Sequence, residues 1–172
     1  TSRLSSPCMS SREKQFRVLF VCSGNTCRSP LAVLALQGEL GADSDSVAVS
    51  SAGTAADSGQ PASEGSRLVA ERQGHDLSKH RSRPLTGAML READLVLVMT
   101  PAHRAAALAL GADSSRLHVI SDWPAPGDPG QPVFDPFGAS IEAYAECWRR
   151  LRLHARRIAP AVLRTLRERR SS

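Results

Sequence analysis

Residues Val18 to Ala32 read VLFVCSGNTCRSPLA, a stretch that joins a strand, a phosphate-sized loop and a helix start without a break. Val18, Leu19, Phe20 and Val21 form the short apolar run that fills a buried parallel strand. The chain then turns small and polar from Cys22 to Arg28, where Gly24, Asn25 and Thr26 suit a tight loop with positive-φ positions. Ser29-Pro30 supplies the helix entry, because proline's missing N–H costs nothing in a first turn.

A loop that curls into a helix N-terminus aims several backbone N–H groups at one point, and the helix dipole adds positive potential there. That point attracts an oxyanion. Cys22 opens the loop and Arg28 closes it, which puts a thiol beneath the anion and a guanidinium within reach of two of its oxygens. The same potential favours the thiolate, and a thiolate under a phosphoryl group is a nucleophile aimed at phosphorus. Taken alone, Cys22 equally fits a core cysteine at a strand end. That reading gives no role to an arginine six residues on in a loop of small polar residues.

Length bounds the rest: 172 residues make one domain. Residues 1–15, TSRLSSPCMSSREKQ, are Ser-rich and charged and lack the apolar core of a signal peptide, so they read as a flexible tail ahead of a single domain over 16–172. No apolar run approaches the roughly 20 residues that span a membrane, and the cytoplasm is the expected address. The four cysteines, Cys8, Cys22, Cys27 and Cys147, make neither a disulfide framework nor a zinc site. Cys27 is placed either to form a reversible disulfide with Cys22 or to pack beneath the loop. The net charge of +5 is uneven: from Arg149 to Arg170 nine arginines face one acid, Glu168, so this segment carries +8 and the remainder −3. No aromatic residues interleave with these arginines for base stacking, so the segment reads as the solvated face of a helix and argues against a nucleic-acid partner.

Along the chain, strands alternate with helices. After a first helix ending near Gly41, Ser46 to Ser51 is a second strand followed by the turn Ser51-Ala52-Gly53-Thr54, and Ala62 to Gln73 is a second helix stopped by Gly74. His75 to Pro84 is a polar loop whose His80 is a candidate ligand, base or structural hydrogen-bond partner. A short helix over Thr86 to Arg91, a buried strand over Asp94 to Met99, a helix from Pro101 to Leu110 capped by Thr100, and a strand over Leu117 to Ile120 follow. This alternation predicts a four-stranded parallel sheet with helices on both faces, and a ligand at the carboxyl ends of its strands, where Cys22 lies. Residues 121–138, SDWPAPGDPGQPVFDPFG, hold five prolines and three glycines and read as a long functional loop. The last helix starts near Ser140; Ile141, Tyr144, Trp148, Leu151, Ile158 and Val162 form its apolar stripe, and Pro160 is expected to kink or interrupt it.

The run Cys22-x5-Arg28-Ser29, within VCSGNTCRSP, resembles the phosphate-binding signature of the low-molecular-weight protein tyrosine phosphatases, and Gly24, Asn25, Cys27 and Pro30 match it too. Further matches are SSAGT at residues 50–54, the Asp94 to Thr100 strand reaching His103, and Asp135-Pro136, so the resemblance covers Arg17 to about Arg157. It implies a four-stranded parallel sheet flanked by helices, with Cys22 as nucleophile and Arg28 as phosphate clamp. It also makes Ser23, Gly24, Asn25, Thr26, Cys27 and Ser29 the phosphate-binding and supporting loop, and Asp135 the general acid. A carboxylic acid there protonates the leaving group, and its carboxylate then activates water. Without the cysteine motif, Asp135 would read as a loop or capping residue. No metal or other cofactor is expected, since loop amides and Arg28 neutralise the phosphoryl oxygens. Phosphorylated proteins are the implied partners, with inorganic phosphate as product.

Two departures bear on the substrate. The tyrosine-specific members carry a bulky aliphatic residue where this chain has Thr26, and a pair of tyrosines after Asp-Pro where it has Phe137-Gly138. A phosphotyrosine ring wants aromatic walls; this site keeps one ring at Phe137, and Thr54 to Gln60 adds none. Thr26 with Asp-Pro-Phe-Gly resembles the protein-arginine-phosphatase branch. A phosphotyrosine phosphatase of the same family is the alternative. A thioredoxin-coupled arsenate reductase would need further cysteines between Arg28 and Glu146, where there are none, and a phospho-residue binding module would not need both Cys22 and Asp135.

Overall fold

Six of the seven residues of FRVLFVC are buried, Arg17 excepted, and they form β1 (Phe16–Cys22), the strand on which the sheet is built. The structure, a computed structural model, describes residues 15–125 and 133–172. Most of the N-terminal tail (1–14, with Cys8) and the middle of the Pro-rich loop (126–132) therefore lie outside the described residues. After β1 come α1 (Arg28–Leu40), β2 (Val47–Gly53), α2 (Glu64–Arg72), α3 (Gly87–Glu92), β3 (Leu95–Val98), α4 (Pro101–Ala109), β4 (Leu117–Val119) and α5 (Ile141–Ser171). The four strands are parallel and lie in the order β2-β1-β3-β4. The α/β fold read from the sequence is the one observed.

The side-chain alternation of β1 divides the interior into two cores. Phe16, Val18, Phe20 and Cys22 point to one face and pack with α1, α2 and α5; Leu19 and Val21 point to the other and pack with α3, α4 and β4. Both faces are thus covered, which is why the central strands are apolar throughout rather than alternating. Most predicted boundaries fall within two residues of the observed ones. The second strand is the informative difference: it runs on through Ala52 to Gly53, both predicted as turn, because Cys22 pairs with Gly53 in register at the end of β1.

Two helix caps follow from single side chains. Thr100 caps α4 by accepting a hydrogen bond from the His103 N–H, with Pro101 in the first turn, and Ser140 caps α5 by accepting from the Ala143 N–H. Contrary to the expected break, α5 runs through Pro160 without interruption. Pro160 lies on the exposed side of the helix, while Ile158, Ala159, Ala161 and Val162 stay buried around it and hold the helix through the position.

Gly53 is where the sheet meets the loop that follows β1. A Cβ built on it would lie 2.3 Å from the Ser23 carbonyl oxygen, 2.8 Å from the Ala56 Cβ and 3.0 Å from the Asn25 nitrogen, two of the three contacts being backbone of that loop. Gly53→Ala should therefore cost about 1–3 kcal/mol of stability, as overpacking does, and displace the loop. Thermal melting together with titration by inorganic phosphate checks this; unchanged Tm and unchanged phosphate affinity would mean the close approach is not a constraint.

Candidate active site

The loop from Ser23 to Cys27 leaves the end of β1 and enters α1 at Arg28. Its backbone is held by the side chain of Asn25, which is fully buried and sits in the left-handed region at φ 56°. Asn25 Nδ2 donates to Ser29 Oγ at 2.8 Å and to Ser51 Oγ at 2.9 Å, while Oδ1 accepts from the Arg83 N–H at 2.9 Å. His80 Nε2 lies 2.6 Å from the Asn25 carbonyl oxygen and so donates to it. Burial is the main cause that lowers the His80 pKa, with Arg81 and Arg83 acting the same way against that hydrogen bond. Of the three roles open to His80, the structure places it in the structural one.

With the loop anchored from behind, its front is left for a ligand. Among the described residues, the N–H groups of residues 23–27 have no hydrogen-bond partner in the protein. Cys22 Sγ is buried at 2 % exposure, 3.0 Å from Ser29 Oγ, at the head of α1. Arg28 is 4 % exposed; its Nη1 donates to the Val133 carbonyl at 3.2 Å and its Nη2 reaches Ser23 Oγ at 3.5 Å and Asp135 Oδ2 at 3.4 Å, but Nε has no partner. A buried guanidinium with a free donor beside five free amides fits an oxyanion.

Asp135 comes from the other end of the chain. Its Oδ1 accepts from the Phe137 N–H at 3.1 Å, which turns the loop back and leaves Oδ2 directed to Arg28. Cys22, Ser23, Gly24, Thr26, Cys27, Arg28, Asp135 and Phe137 line one cavity of about 610 Å³; Asn25 and Ser29 stand behind it. All ten predicted site residues are therefore brought to one place. Thr26 faces this cavity half-buried, its Oγ1 3.7 Å from Cys27 Sγ. Cys27 donates to Ser63 Oγ at 3.1 Å and has Tyr144 Oη at 3.8 Å, which ties the loop to α2 and α5; Cys22, Cys27 and Cys147 are free thiols.

Several neighbours escaped the sequence reading. Asp57, Gln60, Glu64 and Arg67 complete the cavity wall, and Ser51, Ser63 and Arg83 support the loop. His103, 6 % exposed, lies with Nε2 2.8 Å from Ser23 Oγ; burial foremost, then Arg28, holds its pKa down to about 4. Of these, SSAGT marked Ser51 as lying beside the anion site and the resemblance reached His103, whereas no local signal pointed to Asp57, Gln60, Ser63, Glu64, Arg67 or Arg83.

A protein-family model described as low molecular weight phosphotyrosine protein phosphatase matches residues 17–170. The chain belongs to this family. Among similar proteins, the probable low molecular weight protein-tyrosine-phosphatase EpsP of Ralstonia nicotianae is 44% identical over 87 residues, 51% of this chain and 57% of that protein, so this match spans little more than half of the relative's length. The protein-arginine-phosphatase of Bacillus subtilis is 34% identical over 131 residues, 75% of this chain and 85% of that one. Among solved structures, the YwlE arginine phosphatase in a mutant form with a phosphorylated active-site serine superposes with a TM-score of 0.81 at 30% identity, covering 88% of this chain and 99% of its own. Vibrio vulnificus Wzb in complex with benzylphosphonate gives a TM-score of 0.75 at 29% identity, with 85% and 98% covered.

Proposed function

We propose that this chain is a cysteine-dependent protein phosphatase that works through a phosphocysteine intermediate and prefers phosphoarginine. The observation that carries it is the convergence of Cys22 Sγ, the partnerless Arg28 Nε, the free loop amides and Asp135 on one cavity. In the first step Cys22, as thiolate, attacks phosphorus and the bond from phosphorus to the leaving nitrogen breaks as Asp135 delivers a proton to it. The loop amides and Arg28 hold the three equatorial oxygens through the transfer. In the second step water attacks the phosphocysteine, Asp135 takes its proton, and inorganic phosphate leaves with the Cys22 thiolate restored.

Support for the family's chemistry comes from the phosphorylated active-site serine in the YwlE relative. Support for phosphoarginine comes from Thr26 on the cavity wall, a single rim aromatic at Phe137, and carboxylates at Asp57 and Glu64 that suit a guanidino group better than a phenyl ring. Phosphotyrosine is the second reading, favoured by the 44% identical relative named as a tyrosine phosphatase. In either case the partners are phosphorylated proteins, and the proposed address is the cytoplasm. Among the described residues no helix is long and apolar enough to cross a membrane.

Cys22→Ser should keep the melting temperature and lose turnover; near-normal activity of this variant would remove the covalent mechanism. Replacing Asp135 by Asn should cost about 10²- to 10⁴-fold in kcat, the worth of a positioned proton donor. The loss should shrink for substrates with good leaving groups, and equal losses across leaving groups would assign Asp135 to binding instead. Specificity is tested by kcat/KM for phosphoarginine and phosphotyrosine peptides in the native chain and in Thr26→Ile. The native ratio should favour phosphoarginine and the variant should move it toward phosphotyrosine, because a site built around a hydroxyl discriminates by leaving polar groups unpaired. An unchanged ratio would take the selector's role from Thr26.

A further inference from the structure

The geometry points to Ser23 as a hydroxyl donor to the phosphoryl group, its proton turned into the cavity by a chain of hydrogen bonds from Thr100 through His103. The inference rests on the phosphatase reading and adds a donor to it that does not come from the backbone.

Four hydrogen-bond contacts, each with a direction, carry it. Thr100 Oγ1 accepts from the His103 N–H at 3.4 Å, as the helix cap requires, and also lies 3.1 Å from His103 Nδ1. In the proposed chain Thr100 gives its own proton to Nδ1, its one side-chain acceptor among the described residues, which makes Nδ1 the bare nitrogen. The ring is neutral at pH 7, since burial and the nearby Arg28 hold its pKa down to about 4. The remaining proton is then on Nε2, which donates to Ser23 Oγ at 2.8 Å. Arg28 Nη2, which can only donate and also reaches Asp135 Oδ2 at 3.4 Å, lies 3.5 Å from the same oxygen. With both sites of acceptance directed at His103 and Arg28, Ser23 Oγ has its proton left to give, and Ser23 lines the cavity beside Cys22.

A hydroxyl so placed resembles an oxyanion donor: it is fixed before the substrate arrives and costs no reorganisation when charge builds on the phosphoryl oxygens. His103 does not touch the reacting atoms in this arrangement. It is a positioning residue that acts through Ser23, and Thr100 acts through His103.

The experiment is a set of kinetic variants read beside the 15N NMR spectrum of the ring. In the full chain loaded with inorganic phosphate, the His103 resonances should show a protonated Nε2 and a bare Nδ1. Ser23→Ala should lower kcat about 10²-fold, the cost of one oxyanion donor, with KM nearly unchanged. His103→Leu should lower kcat without adding to Ser23→Ala in the double variant, and His103→Gln, whose amide can still donate to Ser23, should restore most of the rate. A proton on Nδ1, wild-type kcat in Ser23→Ala, or losses that multiply in the double variant would each overturn the proposal. Where His103→Leu fails to fold, the tautomer and Ser23→Ala still decide. Failure of the phosphatase reading is separate: it appears as turnover that survives Cys22→Ser, and it leaves the tautomer of His103 untouched.

Discussion

The left-handed backbone of Asn25 is the constraint on which the site depends. One residue with φ above zero turns the chain between a strand end and a helix start, and such a conformation persists only when its surroundings determine it. Here hydrogen bonds do so: both Nδ2 protons go to Ser29 and Ser51, Oδ1 accepts from the Arg83 N–H, and the backbone carbonyl accepts from His80. Because these partners occupy the back of the loop, its amides are free to face forward. A glycine would adopt the same φ at lower cost but would keep only the backbone bond to His80 and lose the three made by the side chain, so an asparagine stands where steric reasoning alone would choose glycine.

The sheet delivers the other groups to the same end. β1 lies between β2 and β3, so the loops after all three strands open on one side, bringing Cys22, Gly53 and the Thr100–His103 turn together. The arginines of α5 fit this frame as ties rather than as a free basic face. Arg152 and Arg156 reach Glu39 of α1 at 3.9 and 3.6 Å, Arg169 reaches Asp94 at 2.8 Å and covers the Phe16 ring, and Arg157 donates to the Trp123 and Ile120 carbonyls. Exposed pairs of this kind contribute about 0–1 kcal/mol each, so their effect lies in fixing where the long helix rests, while the buried stripe from Tyr144 to Leu166 supplies the stability.

What was legible in the sequence was whatever is local. Cys22, Arg28 and the helix start are six or seven residues apart, and spacing alone places them around one loop. The alternation of apolar strands with helices gave the fold for the same reason. Asp135 was legible only through a resemblance, since nothing in its neighbourhood states that it will meet Arg28 across more than a hundred residues. His80 could be named but not placed, and the roles of Ser51, Arg83 and Ser63 depend on loop paths that no periodicity records. Pro160 was misread because propensity speaks for an isolated helix, whereas burial on both sides of residue 160 decides the outcome.

Discrimination between substrates has to arise at the rim, because the floor of the cavity is built from backbone amides and Arg28 and treats every phosphoryl group alike. Two kinds of rim group are available and their magnitudes differ. Asp57 and Glu64 are exposed carboxylates; water and salt screen them, and each is worth at most about 1 kcal/mol toward a guanidino group. Phe137, 71 % exposed, offers one face for stacking, less than the enclosed slot that a phenyl ring needs to gain its full apolar burial. Thr26 is half-buried with its Oγ1 3.7 Å from the Cys27 sulfur; a buried hydroxyl left unpaired costs about 1–3 kcal/mol, which sets the upper limit of what this position could contribute. By these magnitudes the proposed role of Thr26 as selector asks more of one half-buried hydroxyl than of the charge at the mouth, and the exposed wall would add the smaller preference.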